Sequence, residues 1–161
     1  MNKVVTVEQA VKIAEDLHRK GKRIVLVGGC FDILHIGHIS FLERAKGVGD
    51  VLFVLLEADE SIKKIKGEDR PVNSQEDRAR ILAAIGVVDE VVLLSSNLEN
   101  SDYDKLITLL KPDIIATTQG DQKRHQKARQ AGLVAAEIID VIDFISDKST
   151  SRLIRLLGKD L

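Results

Sequence analysis

Apolar residues recur at helical spacing near the start of the chain: Val7, Ala10, Val11, Ala14 and Leu17. This pattern predicts a helix over Val7–Arg19, with Thr6 as N-cap and Gly21 as its stop. The pattern then changes to short apolar runs. Ile24–Val27 predicts a strand, and Val51–Leu56 is a continuous apolar run that suits a parallel strand covered on both faces. Further strands are predicted at Val87–Leu94, Asp113–Thr117 and Val134–Ile139. Between them, helices are predicted at Ile39–Lys46, Ser74–Ala84, Tyr103–Leu110 and Gln122–Ala131, with a last one at Ser149–Leu156. Ser74 should cap its helix, with Asp77 at the third helical position. The segment from Glu57 to Asn73 is polar and basic, and Pro71 argues against a helix through its centre. It is therefore read as a loop.

Strands alternating with helices imply right-handed crossovers. The expected fold is α/β, a Rossmann-like doubly wound domain with a five-stranded parallel sheet and helices on both faces. Ligands of such sheets sit at the carboxyl ends of the strands. Four polar segments follow strands and should meet at that edge: Gly29–His38, Lys63–Arg70, Gly120-Asp121 and Ser149-Thr150-Ser151-Arg152.

Size and composition narrow the picture. The chain has 161 residues, which suggests one domain over 1–161, with a leading helix in 1–21 and a catalytic core in 22–157. Net charge is −1 and aromatics make up 3%, so neither a basic field nor stacking platforms point to nucleic acid. Cys30 is the only cysteine, which leaves no intrachain disulfide and no cysteine-based zinc site. No signal-peptide core or run of about 18 apolar residues is visible. A cytoplasmic location without a membrane partner is the default expectation.

The densest chemistry lies in Gly29-Cys30-Phe31-Asp32-Ile33-Leu34-His35-Ile36-Gly37-His38. It follows the Ile24–Val27 strand and leads into a helix. A strand, a glycine-bearing turn and a helix start form a cradle for phosphate, because backbone N–H groups and the helix dipole face the anion. His35 and His38 add donors that can carry charge near neutral pH. A lone histidine is more often a cap or a satisfied core residue, but this pair in this decapeptide reads as functional. Gly29 and Gly37 permit close backbone approach. Asp32 either orients a histidine, binds metal or caps a helix. Cys30 reads as a buried, inert thiol. Lys64 and Lys66, two apart in an extended loop, would point the same way. Arg70 and Arg78 either bind substrate phosphate or form ordinary ion pairs. Asp121 reads as a ribose or base contact, or as a helix cap. His18 and His125 lie in polar helical segments and read as surface residues.

These residues resemble a known family. The decapeptide, Glu43-Arg44-Ala45-Lys46, Gly49-Asp50, Lys66-Gly67, Arg70-Pro71-Val72, Val88-Asp89-Glu90-Val91, Lys111-Pro112-Asp113 and Ser149-Thr150-Ser151 are similar to the cytidylyltransferase-like nucleotidyltransferases. The resemblance covers roughly residues 4–157. Within that family it is strongest to the adenylyltransferase domain of ADP-heptose synthases, which joins a sugar 1-phosphate to AMP from ATP and releases pyrophosphate. It implies that His35, His38 and Lys66 are catalytic. It implies that Gly29, Cys30, Phe31, Asp32, Gly37, Asp121, Ser149, Thr150, Ser151 and Arg152 bind nucleotide, and that Lys64, Arg70 and Arg78 bind the acceptor. It also implies magnesium carried on the ATP phosphates, a phosphorylated small metabolite as second substrate and a homodimer. The sequence shows no dedicated metal cage.

There are departures. ADP-heptose synthases usually carry Lys-Gly-Gly-Asp-Tyr where this chain reads Thr117-Thr118-Gln119-Gly120-Asp121-Gln122. Its Asp-Gln ending is more like archaeal FAD synthases, which adenylylate flavin mononucleotide. Glycerol-3-phosphate cytidylyltransferases have arginines where this chain has Gly86 and Phe144. Three acceptor readings therefore stand: heptose 1-phosphate, flavin mononucleotide and glycerol 3-phosphate. A nucleotide-binding regulator without catalysis is the non-enzyme alternative.

Overall fold

A computed structural model describes residues 2–143 and 150–158. The chain runs β1 (Val4–Val5), α1 (Val7–Arg19), β2 (Ile24–Gly29), α2 (Ile36–Gly47), β3 (Val51–Leu56), α3 (Asp59–Lys66) and α4 (Gln75–Ala83). It continues with β4 (Glu90–Leu93), α5 (Asn100–Leu110), β5 (Ile114–Gln119), α6 (Arg124–Leu133), β6 (Glu137–Asp143) and α7 (Thr150–Leu157). The sheet order is β1-β4-β3-β2-β5-β6, and every pairing is parallel. From β2 the chain winds outward through β3 and β4, then returns to place β5 on the other flank of β2. The strand order thus reverses between β2 and β5, whose carboxyl ends diverge into a crevice.

The alternation of side chains along β2 divides the core. Ile24 and Leu26 pack with Ala10 and Ala14 of α1 and Leu106, Ile107 and Leu110 of α5. Val25 and Val27 pack on the other face, with Leu42 and Ala45 of α2 and Ala79 and Leu82 of α4. Thr6 caps α1 in a reciprocal arrangement with Gln9, as a side-chain oxygen three residues before the third helical N–H can.

Two expectations are corrected. The sheet has six strands, not five. β1 is too short to show a period, and pairing creates it: the Val91 N–H donates to Lys3 O at 2.8 Å, and Lys3 Nζ donates to Val88 O at 2.7 Å. Residues 59–66 form α3 rather than a loop. Asp59 and Glu60 lie in its first turn and Lys63, Lys64 and Lys66 in its last, which complements the helix dipole at both ends. Ile62 anchors it in the core. The helix ends at Gly67, at φ 101°, before Pro71 can interfere. On a helix, Lys64 and Lys66 are about 200° apart and do not point the same way.

Several family-like motifs lie at the opposite edge of the sheet. Asp50, Asp89 and Asp113 each accept a strand-starting N–H at 2.7 Å, from Arg23, Leu52 and Ile24 respectively. These carboxylates close the amino ends of strands, away from the crevice.

Candidate active site

β2 ends in Gly29, where the chain turns sharply. Phe31 adopts φ 46°, a left-handed conformation that costs a non-glycine residue about 1–2 kcal/mol. The turn lays the Phe31 ring over Gly29. A Cβ at Gly29 would sit 2.9 Å from that ring, so only glycine lets the loop close this tightly.

His35 is the N-cap of α2, and its Nδ1 accepts the Gly37 N–H at 3.1 Å. The proton of the neutral ring therefore resides on Nε2. One turn on, His38 stacks against His35 with ring centroids 4.0 Å apart. Phe31 lies against its other side at 5.4 Å. Burial pushes the His35 pKa below its ordinary value. Burial, then the neighbouring His35 and the Lys66 ammonium, push His38 down to about 4. The imidazoles expected to carry charge near neutral pH are thus held neutral in the free protein. Two rings this close resist double protonation, and only an anion would reverse that. The first turn of α2 contains no acidic residue, so no carboxylate there offsets its positive end.

Asp32 does something the sequence did not suggest. It is 2% exposed. Its carboxylate accepts Arg70 Nε at 2.8 Å and the N–H groups of Val72 and Asn73 at 2.9 Å. Its carbonyl accepts Asn73 Nδ2. Asp32 is therefore a bracket that ties the histidine loop to residues 70–73, and Arg70 is its buried partner. Burial alone would raise its pKa. The Asn73 and Val72 N–H groups and the Arg70 guanidinium outweigh that and hold it below the usual carboxylate range.

Arg78 is likewise not available to an acceptor. Its side chain is 0% exposed. It donates to Asn73 O at 3.1 Å, Cys30 O at 2.6 Å, Glu57 O at 2.8 Å and Asp59 Oδ1 at 2.7 Å. Four donors spent on three loops make Arg78 an internal clamp behind the site. Arg70 Nη2 and His38 Nδ1 are buried without a hydrogen-bond partner among the described residues.

Beside the histidine loop, the crevice opens into a cavity of about 940 Å³. Gly29 and Cys30 line one wall, Lys64 and Glu57 another, and Asp121 and Lys127 a third. His35 and His38 border this cavity through Gly29 and Cys30 rather than lining it. Lys64 donates to Asn97 Oδ1. Lys66, the exposed last residue of α3, lies near enough to act electrostatically on both His38 and Cys30. Burial nonetheless raises the Cys30 pKa, which fits an inert thiol. Asp121 accepts Thr117 Oγ1 at 2.7 Å, the Lys123 N–H at 2.8 Å and Lys127 Nζ at 2.5 Å. It braces the turn after β5 into α6.

Gly37 sits in the first turn of α2, its N–H committed to His35. Ser149 and Phe144 lie outside the described residues. Thr150 and Ser151 open α7, and Arg152 follows on its exposed side. Among the described residues, no group of three His, Cys, Asp or Glu is arranged to hold a metal ion, and no helix is long and apolar enough to cross a membrane. Sequence reasoning passed over Glu57 and Tyr103. The same carboxyl-edge rule reaches Glu57, the residue after β3, but nothing local marks Tyr103 within α5.

Residues 26–153, from mid-β2 into α7, match the Cytidylyltransferase-like family. The chain belongs to that family. The histidine loop, α3 and the β5–α6 turn lie in the matched region. It is 44% identical over 147 residues to the Bifunctional protein HldE of Nitratiruptor sp., covering 91% of this chain and 30% of that protein. It is 43% identical over 157 residues to the Bifunctional protein HldE of Aliarcobacter butzleri, covering 98% and 31%. The chain thus spans under a third of the length of these curated relatives. Among solved structures, a lipopolysaccharide core biosynthesis protein from Thermoplasma volcanium superposes with TM-score 0.64 at 27% identity, covering 78% of this chain and all of that one. Pantoate-beta-alanine ligase from Francisella tularensis shares the fold, with TM-score 0.68 at 19% identity over 100% of this chain and 74% of that one.

Proposed function

We propose that this chain transfers AMP from magnesium-bound ATP to a sugar 1-phosphate, with heptose 1-phosphate the leading acceptor, and releases pyrophosphate. The observation that carries the reading is the His35–His38 stack at the start of α2, 4.0 Å between rings, beside a cavity at the carboxyl edge of the sheet. The similarity to proteins named Bifunctional protein HldE supports the heptose acceptor.

An oxygen of the acceptor phosphate attacks the α-phosphorus in line. The bond from that phosphorus to the bridging oxygen breaks, and pyrophosphate leaves with that oxygen and its charge. The protein's work is positioning and charge stabilisation. His35 Nε2–H and the His38 ring donate to phosphate oxygens, and the α2 dipole adds its positive end. Lys66 supplies a mobile cation from the end of α3. The family resemblance assigns Ser149, Thr150, Ser151 and Arg152 to the triphosphate in this reading, and Asp121 keeps the nucleotide-side turn in shape. Magnesium arrives with ATP, held mainly by substrate oxygens and water. The Asp32 carboxylate of the loop is taken up by Arg70, Val72 and Asn73, and the imidazole N–H and Lys66 ammonium are donors that suit phosphate.

The test is pyrophosphate release measured for ATP and CTP against heptose 1-phosphate, flavin mononucleotide and glycerol 3-phosphate. Turnover with ATP and the sugar phosphate is expected. Preference for flavin mononucleotide, or for CTP with glycerol 3-phosphate, would overturn the acceptor. Tight ATP binding by calorimetry without pyrophosphate from any pair would identify a regulator instead.

A further inference from the structure

We infer that the Glu57–Tyr103 pair is the hydroxyl-reading end of the acceptor cavity, binding a polyhydroxylated acceptor through adjacent hydroxyls on the Glu57 carboxylate. The inference rests on the nucleotidyl-transfer reading above and names the part of the acceptor that this chain recognises.

The first argument is position. Glu57 is the residue after β3, and its N–H donates to Gly29 O at 3.2 Å. It is therefore one backbone hydrogen bond away from the histidine loop. Arg78 fixes it from behind by donating to the Glu57 carbonyl at 2.8 Å. A side chain held at both backbone groups is a preorganised one.

The second argument is charge. Lys64, Lys66 and Lys127 lie along this edge, Lys127 paired with the Asp121 carboxylate. A carboxylate here repels polyphosphate, and among the described residues no lysine, arginine or histidine pairs with it. Its one side-chain partner is neutral: Tyr103 Oη lies 2.8 Å from both Oε1 and Oε2. One hydroxyl donates one proton, whereas a carboxylate accepts about four hydrogen bonds. Most of the acceptor capacity of Glu57 is therefore open towards the cavity, and Tyr103 Oη has lone pairs to offer as well. Neighbouring hydroxyls of a sugar, each a donor and an acceptor, match that set.

The third argument is what surrounds the pair. Asn97, Asn100, Gln126 and Gln130 line the same cavity, so carboxamides stand on its walls. Tyr103 is the only aromatic residue among the lining residues, and its hydroxyl is taken up with Glu57. A flat flavin ring would find no aromatic stacking partner there.

The test is steady-state pyrophosphate release by wild type, Glu57→Gln and Tyr103→Phe. The acceptors are heptose 1-phosphate, mannose 1-phosphate and a mannose 1-phosphate lacking one ring hydroxyl. Glu57→Gln should raise the acceptor KM about 10- to 100-fold, the scale of a hydrogen bond to a charged group, with ATP KM unchanged within about twofold. It should also erase the preference for the full sugar over the deoxy analogue. Tyr103→Phe leaves Glu57 in place and should raise the acceptor KM by a smaller factor, about 3- to 10-fold. A merely structural role would move both KM values and kcat together. Unchanged acceptor KM in both variants, or a parallel rise for ATP, overturns the inference while leaving the function reading standing. A wild type that releases no pyrophosphate with any sugar phosphate overturns both.

Discussion

The stacked histidines make a sharp prediction about acid. His38 has its proton affinity lowered from the ordinary 6.5 to about 4 by burial, His35 and Lys66, in that order. The unfolded chain therefore binds a proton at this position at higher pH than the folded one. Stability contributed by the neutral ring is intact above pH 6.5, falls as pH drops through 6.5, and levels off near pH 4. A tenfold difference in proton affinity is worth about 1.4 kcal/mol, so at pH 5 the loss from this one residue is about 2 kcal/mol. Glu90 works against it. Burial first, then Asp89, raises its pKa to about 6 against the opposing charge of Lys3. The folded state gains a proton there between about pH 6 and the ordinary 4.5, which stabilises it as pH falls through that window. The measurement must therefore be a difference. Urea unfolding of wild type and His38→Gln at pH 7.5 and pH 5 should show the variant gaining about 2 kcal/mol relative to wild type on acidification. His38 should also titrate near 4 by NMR in the free protein and shift upward when ATP is added, so that ATP binding takes up a proton. A relative gain below about 0.5 kcal/mol, the scatter of a surface substitution, together with a His38 titration near 6.5, would refute the account of a buried neutral pair.

Further outcomes follow from the same geometry. His35→Ala should lower kcat about 10²- to 10³-fold at saturating ATP and magnesium, the loss of one transition-state donor; a near-wild-type rate would remove the histidine from the mechanism. Asp32→Ala strands Arg70 in the interior and should cost about 3–5 kcal/mol by chemical denaturation. Arg78→Lys removes donors from the carbonyls of Cys30, Asn73 and Glu57 and should cost about 1–3 kcal/mol, with a lowered thermal midpoint as the readout. Lys66→Ala should cost less than about 1 kcal/mol of stability, the scale of an exposed charge on a helix dipole, while reducing kcat; if its kcat equals wild type, the lysine is only a solvated charge.

The site was legible in the sequence where its parts are contiguous. Gly29, His35 and His38 sit in one turn and one helix start, so their spacing alone places the rings together. Arg70 and Arg78 read equally well as phosphate ligands or ion pairs, because local spacing cannot say what faces an arginine. Arg70 meets Asp32 across 38 residues, and Arg78 meets Cys30 across 48. Such contacts engage all three side-chain nitrogens of Arg78 and the Nε of Arg70. Residues 59–66 misled for a different reason: a short, highly charged helix has little apolar period, and its stability comes from dipole complementarity and from Ile62 in the core.

The alternation of short apolar runs with helical periods determined the α/β class and the strand sequence, since each pattern is written within a few residues. It also placed the glycine-bearing turn and the histidine pair directly after β2. Only the tertiary structure decided that Val4–Val5 is a sixth strand, because a two-residue strand exists through its partner. Only it decided which charged residues face the crevice and which hold it together. Burial removes water from Asp32 and Arg78 and obliges them to find protein partners, while Glu57, which pairs with no cation among the described residues, keeps acceptor capacity in hand. Charge is a property of the residue; its use is a property of what surrounds it.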